Sequence, residues 1–242
     1  MRAETADCPQ TCIGRMKCDD LPDPAEDRRI MSGLTRERQE KILRFRFPAD
    51  RKRSLASALL LKEMLGKKGI AFSEVRTDAR GKPFIEADPP VYISVSHAGM
   101  SALAAVSDVP VGCDIEPVRK FPEMVVRRCF SEEEKQMMNR CLSEEERRRC
   151  FFSIWTARES YIKMTGEGLG LSFDRYAVIP AEEGGPDGKM RFFTGTEGIP
   201  APAAAFSVLR DDRKEDCRIR QSFSSDQYCI SVCTGVCHPS LE

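Results

Sequence analysis

The chain has 242 residues, 41% hydrophobic and 31% charged, which allows one large domain or two small ones with a real core. Basic and acidic residues number 38 each, so no global charge favours nucleic acid and electrostatic recognition must be local. No apolar run is long enough to span a membrane, and Met1–Asp7, carrying Glu4 and Asp7, does not read as a secretory signal.

Residues 1–10 are polar and are expected to form a disordered tail. Thr11–Cys18 suits a short strand. Leu34–Phe45 reads as a helix started by Thr35, with Ile42, Leu43 and Phe45 toward a core, and Pro48 breaks it. Asp50 is expected to cap a second helix through Leu65, closed by Gly66. Its Leu55, Leu59, Leu60 and Met64 follow helical spacing. Asp78–Pro83 is a turn-rich loop. Val91–Ser96 and Ala102–Val106 read as strands joined through a turn at His97-Ala98-Gly99. Val111–Glu116 alternates as a third strand and Pro117 ends it.

Ser131 and Ser143 each precede three glutamates in capping-box order. The second box opens a long helix to Thr165, closed by Gly166, with Phe151, Ile154, Trp155 and Ile162 on its apolar face. Beyond Gly170, strands are expected at Tyr176–Ile179, Met190–Thr194, Ala203–Leu209 and Gln227–Cys233, with surface turns at Glu182–Gly188 and Asp211–Asp216. The helices ending at Gly66 and Gly166 align without gaps, with Met64 opposite Met164. That echo suggests two similar α+β halves, one over residues 11–107 and one over 108–242.

The chain contains 11 cysteines, an odd number placed mostly inside expected strands and helices. They read as reduced, intracellular thiols. Cys229, Cys233 and Cys237, followed by His238, match zinc spacings poorly, and strand geometry would hold Cys229 and Cys233 too far apart to share an ion.

Two acidic motifs carry the chemistry. In Val111-Gly112-Cys113-Asp114-Ile115-Glu116, strand periodicity sends both carboxylates to one face. In Trp155-Thr156-Ala157-Arg158-Glu159-Ser160-Tyr161-Ile162-Lys163, Glu159 and Lys163 are four apart and share a helix face. If strand and helix pack together, the carboxylates of Asp114, Glu116 and Glu159 converge with an ammonium. Hard oxygen donors of this kind suit magnesium, which keeps several waters and takes phosphate oxygens. Gly112, on the same face, leaves room for the ion or a phosphate. Taken singly, the same residues would also suit a solvated strand face and an ordinary surface ion pair.

These motifs resemble those of the 4′-phosphopantetheinyl transferases, in particular the larger, surfactin-synthetase-associated type. Gly112–Glu116 and Trp155–Lys163 look like the family's two main motifs. Ser96-His97 followed by Ala104-Ala105-Val106, and Gly81-Lys82-Pro83, match two shorter elements, and all four stand in the family's order. The resemblance spans about Met16–Cys233. It implies a pseudo-twofold fold of two α+β halves, the first meeting the coenzyme A nucleotide, the second holding metal, catalysis and carrier docking. The implied reaction transfers the 4′-phosphopantetheine arm of coenzyme A to a serine of an acyl or peptidyl carrier protein and releases 3′,5′-ADP.

By position, Asp114, Glu116 and Glu159 would ligate Mg2+, and Glu159 would be the general base, directly or through water. Lys163 would meet the pyrophosphate and His97 the coenzyme A phosphates. Arg38, Lys41, Arg53 and Ser54 fall where the family grips the 3′-phosphate, and Gly81, Lys82 and Ser96 near the nucleotide. Arg158 stands where the family usually has lysine, and is expected to keep a phosphate contact through a planar fork instead of a point charge. Arg119–Phe130, which mixes basic and apolar residues, is expected to dock the carrier. A cytoplasmic monomer with no nucleic-acid or membrane partner is expected. Other readings of the same carboxylates are a nucleotide-cleaving phosphohydrolase and a carrier-binding module without chemistry.

Overall fold

The computed structural model describes residues 10–168, 175–181, 190–192, 199 and 204–235. The chain begins with β1 (Thr11–Lys17), α1 (Arg36–Leu43), α2 (Pro48–Gly66), the short strands β2 (Arg76–Thr77) and β3 (Pro83–Phe84), and the hairpin β4 (Tyr92–Ala98) and β5 (Ser101–Ser107). It continues through β6 (Val111–Pro117), α3 (Glu123–Cys129), α4 (Glu132–Asn139) and α5 (Glu144–Thr165). It closes with β7 (Tyr176–Pro180), β8 (Met190–Phe192), β9 (Ala204–Arg210), β10 (Arg213–Lys214), β11 (Cys217–Phe223) and β12 (Tyr228–Gly235).

Local chemistry explains the helix ends. The Thr35 hydroxyl accepts the Arg38 N–H at the start of α1. Both capping boxes form, Ser131 with Glu134 and Ser143 with Glu146. Gly166 ends α5 at φ 73°, a conformation glycine adopts without penalty. The start of α2 differs from the sequence reading: Phe47 is the cap residue, Pro48 opens the helix, and Asp50 lies inside the first turn. Proline suits that first position because its missing N–H would have no helical acceptor there.

The strands form an α+β fold around two main sheets. One has the order β4-β5-β1-β8; the other runs β10-β9-β11-β12-β6, with β7 also on β9. Each carries one long helix. Leu60, Leu61, Met64 and Leu65 of α2 pack on Ile93, Ala104 and Val106. Phe152, Ile154, Ala157, Tyr161 and Ile162 of α5 pack on Val178, Phe206, Val208 and Ile219. Between the sheets, Ile13, Leu103 and Ala105 meet Val111, Cys113, Ile115, Ile230 and Val232 in a shared core. β8 pairs in parallel with β1, so the first sheet takes a strand from beyond residue 108.

The strand β11 is absent from the sequence reading because Gln221 and Ser222, polar yet buried, break its apolar alternation. Cys217, Ile219 and Gln221 are buried while Arg218 and Arg220 are only partly covered. Gln221 lies inward because its amide donates to the Ser153 carbonyl and to the Ser231 hydroxyl. Residues 1–9 and the Glu182–Gly188 turn fall outside the described residues, as do Cys237 and His238 and the end of the expected 190–194 strand.

One contact ties the two sheets together and another sets α5 on its strand. At the far corner, Arg15, 2% exposed, forks onto Asp226 at 2.9 and 2.6 Å and stacks over the Tyr228 ring. At the near side, α5 lies directly on β6. A Cβ on Gly112 would stand 2.0 Å from the Ser160 carbonyl oxygen and 2.3 Å from the Met164 nitrogen. Gly112 is therefore filled by helix backbone, which corrects the expectation that it leaves room for an ion or phosphate.

Gly112→Ala is expected to lower stability by about 2 kcal/mol or more, because both neighbours are backbone and cannot rotate away; an unchanged urea midpoint would contradict this packing. The Arg15 fork holds the Asp226 carboxyl at about 2, below its ordinary unfolded value of about 3.9. The stabilisation is present above pH ~4 and lost as pH falls toward ~2. Asp226 is partly exposed, which screens the pair. Acid-unfolding curves of Asp226→Asn should lose this dependence and show about 1 kcal/mol less stability at neutral pH.

Candidate active site

The edge strands β4 and β6 of the two sheets face each other, and serines of β4 bridge them. The Cys113 N–H donates to the Ser94 hydroxyl at 3.0 Å. Two residues along, the Ser96 hydroxyl donates to Asp114 Oδ1 at 2.7 Å. The period of two along β4 turns both serine hydroxyls toward β6, where one meets a backbone N–H and the other the next residue's carboxylate. From α5, Lys163 Nζ donates to Ser96 Oγ at 2.8 Å and to Asp114 Oδ1 at 2.6 Å. Strand, strand and helix thus meet at one carboxylate, itself 4% exposed.

Glu116 lies two residues along β6, and Glu159 one turn before Lys163 on α5. Desolvation, then the Asp114 charge, raises both carboxyls; Glu116 reaches about 7, with Glu159 adding to its shift. Lys163 is raised: burial opposes its charge, and Asp114 foremost among its neighbours outweighs it. Three carboxylates and an ammonium therefore share one electrostatic environment, as the two motifs predict.

A basic rim adjoins this centre. Arg38 Nη2 donates to the Ser54 carbonyl at 2.8 Å and hydroxyl at 3.1 Å. Arg53 donates to the Gly99 carbonyl at 2.9 Å and pairs with Asp50. His97 is depressed by desolvation and then by the charges of Arg53, Lys163 and Arg38. Arg38 and Arg53 thus form a cationic rim from α1 and α2, with His97 held toward its neutral form between them and the acidic centre. Lys41 is exposed on α1, one turn beyond Arg38.

Three expected nucleotide contacts have different places. Ser96 belongs to the acidic centre. Lys82 Nζ donates to the Met164 carbonyl at 2.8 Å, and Arg80 to the Gly166 carbonyl at 3.1 Å, so the β2–β3 hairpin caps the C-terminus of α5. Gly81 turns that hairpin at φ 86° with open space beside it. The hairpin therefore reaches the active-site helix, a link that sequence spacing does not reveal.

Arg158 departs furthest from expectation. It is 1% exposed, and its Nη1 lies 2.7 and 2.6 Å from the two oxygens of Glu134. The guanidinium also covers the Tyr176 ring at 4.2 Å. This placement removes Arg158 from the phosphate contacts. The helix explains it: Arg158 shares a face with the buried Tyr161 and Ile162, three and four residues on, whereas Glu159 and Lys163 share another. Glu134 and Ser94 are structural members of the site that motif reading missed. The alternation of Ser94 with Ser96 and the capping box at Glu134 were the available signals.

Magnesium can be tested against these residues. Among the described residues, no three acidic, histidine or cysteine side chains already enclose an ion site. Magnesium, however, is usually held by one or two carboxylates together with waters and substrate phosphates. Asp114 Oδ2 is buried without a hydrogen-bond partner, an acceptor left for such a group. With Glu116 beside it, the donor set fits.

Comparison with known proteins agrees with this arrangement. Residues 110–233 match the model of the 4′-phosphopantetheinyl transferase superfamily, and residues 21–108 match that of the 4′-phosphopantetheinyl transferase N-terminal region. The chain belongs to the 4′-phosphopantetheinyl transferase superfamily. It is similar to a 4′-phosphopantetheinyl transferase of Bacillus subtilis, 27% identical over 222 residues, covering 89% of this chain and 88% of the relative. The 4′-phosphopantetheinyl transferase Sfp of Bacillus subtilis (strain 168) is 31% identical over 165 residues, covering 66% and 72%. These likenesses support the larger, surfactin-associated type.

In the metal-free protein, the Glu116 carboxyl should titrate near pH 7 by carbon-detected NMR and move lower in Asp114→Asn. Because this folded value lies above the unfolded value of about 4.3, its stabilisation is present below that value and is lost as pH rises through 7. A Glu116 titration near 4 in the wild type would contradict the described environment.

Proposed function

We propose that this centre transfers the 4′-phosphopantetheine arm of coenzyme A to a serine hydroxyl of an acyl or peptidyl carrier protein, releasing 3′,5′-ADP in a magnesium-dependent reaction. The observation that carries the reading is the meeting of Ser96, Asp114 and Lys163, with Glu116 and Glu159 beside it, in a chain of the transferase superfamily. The carrier and coenzyme A are the partners the family supports.

Asp114 and Glu116, with Glu159, would hold the magnesium ion. When bound, the ion neutralises pyrophosphate charge and stabilises the departing oxygen. The remaining roles belong to this chain's side chains. Glu159, with its carboxyl raised, accepts the proton of the carrier serine. The serine oxygen bonds to the phosphorus bearing the pantetheine arm, and the bond from that phosphorus to the 3′,5′-ADP oxygen breaks. Lys163, positively charged and held by Ser96 and Asp114, meets the pyrophosphate. His97, Arg38, Lys41, Arg53 and Ser54 bind the nucleotide phosphates, with Lys82 and Gly81 supporting from the hairpin.

The two halves divide the work: residues 11–107 meet the nucleotide, and 108–242 supply the metal ligands, the base and carrier docking. The docking surface is α3 and the segment before it. Met124 is 52% exposed, and Arg127 and Arg128 are exposed in the same helix. Such a basic, apolar face suits an acidic carrier helix. A cytoplasmic monomer is the expectation the family resemblance carries; among the described residues no helix is long and apolar enough to cross a membrane. A phosphohydrolase would use the same carboxylates to deliver water. Only the transferase requires a docking face for a second protein.

Glu159→Gln should leave coenzyme A binding by calorimetry largely intact and lower transfer about 10²–10⁴-fold; full transfer by this variant would remove Glu159 from the base role. Charge reversal at Arg127 and Arg128 should raise KM for the carrier without changing KM for coenzyme A. An unchanged carrier KM would sink the docking assignment.

A further inference from the structure

Arg158 and Glu134 form the most enclosed ion pair described, at 1% and 0% side-chain exposure. Glu134 serves three elements at once. Its Oε2 accepts the Ser131 N–H at 2.8 Å, closing the capping box of α4. Its Oε1 accepts the Val178 N–H of β7 at 2.9 Å. Both oxygens accept from Arg158 of α5, whose Nη1 also donates to the Tyr176 carbonyl at 3.2 Å. Removing a buried charge from such a network strands its partner.

Position on the helix gives the pair a consequence beyond packing. Arg158 immediately precedes Glu159, so any rotation of α5 that moves one moves the other. The opposite side of α5 is pinned by the Gly112 contact and by Lys163 on Asp114. A helix pinned on one side can still roll about that line; the pair closes the other side. We propose that Arg158 and Glu134 are positioning residues that fix the roll of α5 and thereby the reach of Glu159 to the carrier serine. They also tie that roll to α4, the helix that directly follows the proposed docking helix α3. The inference rests on the proposed base role of Glu159.

Misplacement of a catalytic group by about 1 Å can cost about 100-fold in rate. The test measures kcat and KM for coenzyme A in Glu134→Gln, Arg158→Lys and the apolar double variant Arg158→Met/Glu134→Leu, with thermal midpoints recorded and assays run well below them. Glu159→Gln is assayed alongside. The expected result is a fall in kcat of about 10–100-fold in the double variant, an unchanged KM for coenzyme A, and a smaller fall in Arg158→Lys, which keeps a positive charge against Glu134 but loses the planar contact with the Tyr176 ring. Glu134→Gln, which preserves shape and two acceptor contacts, should fall in the same direction and decides the matter if the double variant does not fold.

Wild-type kcat in a folded variant would overturn the proposal and leave the pair as packing alone. A raised KM for coenzyme A at wild-type kcat would also overturn it, because Arg158 would then be reaching the nucleotide. If Glu159→Gln keeps full activity, the base reading has failed instead. Inactive Glu159→Gln beside fully active pair variants would refute the positioning role alone.

Discussion

The site depends on how closely α5 can lie on β6. Gly112 lets the helix backbone come down onto the strand, and that approach brings Lys163 within 2.6 Å of Asp114. A side chain at residue 112 would lift the helix and separate the two motifs. The same contact contributes to the burial of Asp114 and to the crowding that raises Glu116 and Glu159.

The two sheets supply the second requirement. Both β4 and β6 are edge strands, and edges with free backbone groups invite unwanted pairing. Here Ser94 satisfies the Cys113 N–H and Ser96 meets Asp114, so the serines join the sheets without continuing either one. The cleft therefore has one wall from each half of the chain. The cationic pair Arg38 and Arg53, with the neutral-leaning His97, comes from one side and the carboxylates from the other. Opposite charges on facing walls suit a substrate that carries phosphates and must also meet a metal ion.

Much of this was legible in the sequence because it rests on short-range periodicity. Strand alternation placed Asp114 and Glu116 together, and helical spacing placed Glu159 with Lys163; capping boxes marked the starts of α4 and α5, and Gly166 the end of α5. Gly112 was legible as a gap but not as to what filled it, since the occupant is helix backbone from about fifty residues away. The contact of Lys82 with α5 was hidden for the same reason: its acceptor, the Met164 carbonyl, is distant in sequence. Arg158 could have been placed better. Neighbouring helix residues are turned by about 100° from one another, so Arg158 could not share the cleft face with Glu159. β11 escaped notice because Gln221 and Ser222, polar yet buried, break its apolar alternation.

The central claim is that one centre, assembled where α5 meets β6, moves the phosphopantetheine arm onto a carrier protein. Intact-mass spectrometry tests it most directly: an apo carrier protein incubated with this protein, coenzyme A and magnesium, beside a chelated control and Gly112→Ala. The account predicts a magnesium-dependent gain of one phosphopantetheine per carrier, lost with chelator and strongly reduced in Gly112→Ala. An unmodified mass across several acyl and peptidyl carriers, with the protein shown to be folded, would contradict it.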